Sequence, residues 1–197
     1  GRNIKSDAPD TSYKIKDHFH LDWAQNSLWN DGKAEVATYS AERIIYGKIR
    51  SFDYTFILVK ETFNKEFNVK TDNYERDDLF EVMKMNQFCR IPTRKYPYHF
   101  LTSCFFKRND AFRLHKLSSS SQEWCGNTYK QVDDHGKDYH LKYHSYWDGE
   151  SSGKKILDGG VWYEDQLFFT LRTLKFKEGL EFQYPVVESQ KSSKVLP

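Results

Sequence analysis

The run Phe52-Asp53-Tyr54-Thr55-Phe56-Ile57-Leu58-Val59 constrains this chain more than any other stretch. Phe52, Tyr54, Phe56 and Leu58 fall at every second position, with Asp53, Thr55, Ile57 and Val59 between them. A helix would scatter those rings around its axis, whereas a strand sets them on one face. A strand whose face carries three aromatics and a leucine has to lie in a sheet with a covered side.

Strand character begins at Ala34 and returns at 82–89, 98–106 and 112–117. The intervening Lys107-Arg108-Asn109-Asp110 has the composition of a hairpin loop, and Asp134-His135-Gly136 reads as the turn of a second hairpin within 129–147. One segment departs from the pattern. Tyr163, Leu167, Leu171 and Leu174 recur at helical spacing beside Phe168. Glu164 and Asp165 in the first turn and Arg172 and Lys175 in the last suit a helix dipole. Asp158 is placed to cap the start and Gly179 to end the segment. The fold class expected is mainly β: a curled antiparallel sheet, or an open half-barrel, with one amphipathic helix at about 160–176 packed against it. Residues 1–17 read as a mobile leader, 18–188 as a single β-rich domain, and 189–197 as a linker or point of truncation. A lone leading Gly1 in place of methionine points to a processed or trimmed start.

A chain of 197 residues can bury a substantial core. Its net charge of +2 and pI near 8.3 lack the basic balance of a nucleic-acid binder. No run of about 18 apolar residues occurs to span a membrane. Aromatic residues make up 17% of the chain against 38% hydrophobic in all, so rings dominate the apolar inventory. They serve equally as core and as flat surfaces for ligands. The three cysteines, Cys89, Cys104 and Cys125, form no Cys-x-x-Cys pair. One disulfide with a free thiol and three buried thiols both fit that count.

Several stretches invite a chemical reading. Around Cys125 the run Gln-Glu-Trp-Cys-Gly suggests a nucleophilic thiol. Against the papain-like Cys-Gly-Ser-Cys-Trp pattern, however, Thr128 stands where the nucleophile belongs, so a packed, inert cysteine is expected. His140 and His144 have helical metal-binding spacing but sit in a strand pattern, about 13 Å apart if extended. His18, His20 and Asp22 would share one face of an extended stretch and form the chain's weak metal candidate. Asp77-Asp78 and Asp133-Asp134 read as solvated turns. The four serines 118–121 read as a polar strand edge or a loop. Tyr96, Tyr98, Tyr129, Tyr139, Tyr143, Tyr146 and Trp147 gather on neighbouring hairpins. Cross-strand pairing and a ligand platform both explain them. If they form a platform, its residues are Tyr98, Glu123, Trp124, Tyr129, Tyr143 and Tyr146. No phosphate loop, nucleophile elbow or kinase signature is present, and no cofactor is expected.

The stretches "WNDGKAEVATYSAERIIYGK", "YPYHFLTSCF", "SSQEWCGNTYKQ" and "WYEDQLFFTLRTL", across roughly 29–184, resemble an uncharacterised family of Bacteroidota envelope proteins. Many members carry the name "septum formation inhibitor Maf". The chain lacks the strand–helix alternation and the arginine-containing N-terminal motif of true Maf nucleotide pyrophosphatases. The resemblance implies an exported protein of the periplasm or outer membrane, reaching a membrane only through a lipid anchor, with no established activity. It also implies a distant similarity to periplasmic β-rich families. The function expected is therefore non-enzymatic binding of an apolar, glycan or protein partner on a curved sheet. An envelope hydrolase using Glu123 or a histidine as acid–base, and a structural scaffold, are the alternatives.

Overall fold

The computed structural model of the chain describes residues 15–192. Nine strands form one antiparallel sheet: β1 (Glu35–Ile45), β2 (Lys48–Asn64), β3 (Val69–Lys70), β4 (Leu79–Ile91), β5 (Tyr98–Lys107), β6 (Asp110–Glu123), β7 (Gly126–Asp134), β8 (Asp138–Ser145) and β9 (Ser152–Asp158). The order across the sheet is β1-β2-β4-β5-β6-β7-β8-β9, a meander, with the short β3 paired to the end of β2. β1 and β9 do not pair, so the sheet stays open.

Strand register explains the core. Leu58, Met85, Cys104, Leu117, Val132 and Leu141 stand directly opposite one another from β2 to β8. None is more than 3% exposed. One apolar line therefore crosses six strands, and the alternating run 52–59 supplies its first member. The neighbouring row is Phe56, Gln87, Thr102, Ser119, Lys130 and Tyr143. Its middle is polar but satisfied, with the Thr102 and Ser119 hydroxyls 2.8 Å apart. The four serines thus lie in a central strand, alternating between its faces, and not on an edge or loop.

The covered face is closed by 162–191. β10 (Trp162–Tyr163) pairs in parallel with β11 (Val186–Val187). Between them run a 3₁₀ turn at Glu164–Gln166, the helix α1 (Leu167–Thr170) and a second 3₁₀ turn at Leu171–Thr173. The amphipathic helix expected over about 160–176 is therefore shorter, and its buried side differs from the one expected. Phe169, Gln166, Thr170 and Thr173 face the core, while Leu171 is exposed. Two tertiary partners override the helical period: Val186–Val187 draw Trp162–Tyr163 into a strand, and Phe169 stacks on Phe106 with centroids 4.0 Å apart. Asp158 ends β9 and receives the Gly160 N–H instead of capping a helix. From Tyr163 against Tyr139 on β8 to Phe168 against Tyr39 on β1, this short segment touches both flanks of the curled sheet.

Of the expected leader, 1–14 lie outside the described residues. Ile15 is buried with Phe19, Phe112 and Trp162 in a second apolar cluster. At the other end, Gln190 is buried and Lys191 reaches into the core. Asp165, whose side chain is fully buried, receives hydrogen bonds from Lys191 Nζ at 2.7 Å, Ser189 Oγ at 2.7 Å and the Gln190 N–H at 2.6 Å. Gln87 donates to the Asp165 carbonyl and accepts from Lys191 Nζ and the Tyr54 hydroxyl. Burial alone would lower the Lys191 pKa, but the Asp165 carboxylate reverses this and holds it above the ordinary lysine value.

Asp165→Asn keeps the shape of the side chain and leaves a buried ammonium without its counter-charge. We expect a loss of about 3 kcal/mol in urea unfolding. Asp165→Asn combined with Lys191→Met should recover part of it. Equal loss in the single and double variants would show that the pair is not coupled.

Candidate functional site

Strand turns crowd one end of the meander, and they carry rings. The β1–β2 turn is Tyr46-Gly47, with φ of +53° and +70°. Two positive φ values in a two-residue hairpin match the twist of the flanking strands, but a tyrosine there is unusual. The Tyr46 hydroxyl lies 2.5 Å from that of Tyr98, at the start of β5. Tyr98 stacks on Phe100 and meets Tyr96 edge-on. Tyr96 stacks on Trp124, with centroids 5.9 Å apart and planes 24° apart. Arg43 covers the outer side of Phe100. The result is a rim of rings from three turns. Trp124 (78% exposed) and Tyr46 (77% exposed) offer their faces to solvent.

Trp124 and Cys125 are the two apex residues between Glu123 and Gly126, which pair directly. Cys125 is exposed, contrary to the packed cysteine expected, because the apex points away from the sheet. Its sulfur lies 2.8 Å from the Tyr96 hydroxyl, a phenol and not the imidazole a thiolate nucleophile needs. That hydrogen bond, followed by burial and the charge of Glu123, pushes the Tyr96 pKa up to about 12. Tyr98 is raised too, first by burial and then by its bond to Tyr46. Gly126 is required by space: a Cβ there would sit 2.3 Å from the Tyr146 ring.

The structure divides the six platform residues. Tyr98, Glu123 and Trp124 come together in the rim. Tyr129 stands opposite His144 while Tyr143 stands opposite Lys130, so these two tyrosines lie on opposite faces of the sheet. Tyr143 packs against the core over Gly153, and Tyr129 hydrogen-bonds Gln131. Tyr146 pairs with Trp147 and covers Gly126. Tyr46 and Tyr96 are the rim members that platform omitted. Tyr46 was detectable in principle, since Tyr-Gly between two strand patterns is a turn signal.

His18, His20 and Asp22 do not form the extended row expected. His18 lies in a turn with its ring stacked on Phe182, and Asp22 opens a 3₁₀ turn at Trp23–Gln25. Among the described residues no three His, Cys, Asp or Glu side chains converge as metal ligands. His140 and His144 lie on strand β8, as their alternation indicates. The three thiols are free, with Cys89 and Cys104 buried. Asp134 is bound to Arg113 at 2.7 Å and Asp78 to Arg76 at 2.7 Å, so neither is merely a solvated turn residue.

The opposite end of the sheet holds a cavity of about 980 Å³. Its wall is the loop between β2 and β4, fixed by Arg76, which binds both Glu66 and Asp78 and lies over Phe67. Its floor includes a β-bulge. Phe105 pairs with Lys116 and Phe106 with Leu114, leaving His115 as the extra residue. The bulge sends His115 and Lys116 to the same side. There the imidazole Nε2 meets Asn68 Oδ1 at 2.7 Å and the ammonium donates to the Asn68 carbonyl at 2.9 Å. Burial first, and Lys107 next, push the His115 pKa down to about 4, against the opposing charges of Asp133 and Asp134.

Two outcomes follow. Gly126→Ala should displace Tyr146 and cost about 1–3 kcal/mol, read by thermal unfolding. His115 is neutral when folded, so between pH 6.5 and about 4 the unfolded chain binds a proton that the folded chain does not. Stability should fall with pH through that window and level off below it. His115→Gln should remove that part of the slope in urea midpoints taken at pH 7, 5.5 and 4.

No family model, no curated protein and no solved structure matches this chain.

Proposed function

We propose that this chain is a non-enzymatic binding protein that holds a glycan on the aromatic rim. The observation carrying this reading is the continuous ring ladder Trp124–Tyr96–Tyr98–Phe100, with Tyr46 held beside it at positive φ. A bulky residue in that conformation costs free energy, which the Tyr46–Tyr98 contact offsets, and such outliers gather at binding sites. Sugars present apolar C–H faces edged by hydroxyls. Exposed Trp and Tyr rings fit the faces, while tyrosine hydroxyls and Glu123 fit the edges.

The same rim favours binding over hydrolysis. Acid–base hydrolysis needs a second titratable group tuned against the first. The neighbours that feel the charge of Glu123 are the phenols of Tyr96 and Tyr98, both raised and so protonated near neutrality. Work in the envelope, outside the cytoplasm and tethered by a lipid anchor, is the setting proposed from the family resemblance. Nothing in the net charge of +2 supports a nucleic-acid ligand.

An array of bacterial envelope oligosaccharides followed by calorimetry tests the reading. The wild-type chain should bind at least one glycan class, and Trp124→Ala should weaken that binding about tenfold or more. Because Trp124 is so exposed, the variant should keep its stability within about 0.5 kcal/mol. Binding by the variant as tight as by wild type, or no glycan bound at all, would remove the rim as a sugar site.

A further inference from the structure

We propose that the cavity under the β2–β4 loop, at the end of the sheet away from the rim, binds a phosphorylated ligand with a flat apolar body. It is lined by Lys65, Lys107, Lys116 and Lys142. Among the described residues none of the four makes an ion pair. The acidic lining is smaller and mostly engaged. Glu81 is held by Lys60 and Arg108, and Asp134 by Arg113, which leaves Asp133. Positive charge is thus concentrated beyond what the site itself neutralises. Burial comes first on two neighbours, and the lysines add to it: Lys107 disfavours protonation of His115, and Lys142 that of Lys116, where the opposing charge of Asp133 is the larger.

Two further observations fit a ligand. Among the described residues the Nδ1 atom of His115, buried in a residue only 8% exposed, has no hydrogen-bond partner. It is one of five such side-chain atoms among the described residues, and the one whose residue lines the cavity. The wall and floor are also rigidly built: Asn68 is fixed at φ +53° by contacts with both bulge residues. A phosphate dianion matches several lysines acting as point charges. The rings of Phe67 and Phe80, which also line the cavity, suit an apolar body. A bound dianion would favour the imidazolium of His115 and so couple binding to proton uptake.

The probes are phenyl phosphate, inorganic phosphate and benzoate, titrated into the full chain by calorimetry and by NMR of the His115 ring. Phenyl phosphate should bind one to one, at least tenfold more tightly than either other probe. It should raise the His115 midpoint from about 4 by about one pH unit or more. Lys107→Gln and Lys142→Gln, at exposed positions, should each weaken it about tenfold without shifting the melting temperature. Trp124→Ala should leave it unchanged. Vesicles of phosphatidylcholine with phosphatidic acid separate the sources. Cosedimentation that Lys142→Gln abolishes supports a lipid-borne phosphate, whereas solution binding without cosedimentation supports a free phosphoester. Benzoate binding equal to phenyl phosphate, or phenyl phosphate binding that ignores both lysine variants and leaves the His115 midpoint in place, would overturn the proposal.

Discussion

The buried carboxylate of Asp165 is the point on which the rest of the fold hangs. An open sheet has no means of its own to cover an apolar row six strands wide, and the segment that covers it is short and mostly irregular. Its 3₁₀ and helical turns are too brief to be stable alone. Asp165 ties that segment both to the sheet and to the end of the described chain. Its carbonyl takes the Gln87 amide, and its carboxylate takes Lys191, Ser189 and Gln190. A buried ion pair of this kind stabilises little compared with apolar packing, yet it dictates geometry. It fixes where Phe169 and Tyr163 enter the core.

The two ends of the sheet use the same topology differently. In a meander, alternate turns fall at alternate ends, so residues far apart in sequence gather wherever the loops are short. At one end two of the turns are tight and carry rings, since Tyr46-Gly47 and Trp124-Cys125 each fill a two-residue hairpin. At the other, the long β2–β4 loop bends back over the sheet, and the bulge at His115 re-aims a side chain beneath it. Both places are held by surrounding contacts, the condition under which the ligands proposed for them would bind with little rearrangement.

Much of the sheet was legible because period-two alternation leaves little choice once a face is buried. Phe52, Tyr54, Phe56 and Leu58 do share the covered face, and the hairpins at Arg108-Asn109 and 135–137 fall where turn chemistry put them. The separation of Tyr129 from Tyr143 was legible too. The register set by the turn at Asp134–Gly136 sends them to opposite faces, and only the count of alternation was missing. The fate of 160–176 was less readable. Its helical period is real, but strand pairing with Val186–Val187, distant in sequence, claims its first residues. The rim turn at Trp124-Cys125 has no turn residue at its apex, and its one local signal is Gly126-Asn127 just beyond it. The bulge at His115 has no sequence signal at all, since it depends on how β5 and β6 slip against each other.

The position of the cover in the chain has a consequence for synthesis. A ribosome completes β8, the last strand of the apolar row, some fifty residues before it reaches Lys191. At ordinary elongation rates that interval is about 3–10 s, far longer than hairpins take to form. The sheet can therefore assemble with its greasiest surface bare, and stays so until residues 162–191 have arrived. A nascent chain in that condition is a client for holding chaperones, and truncations that spare every strand would still leave it sticky.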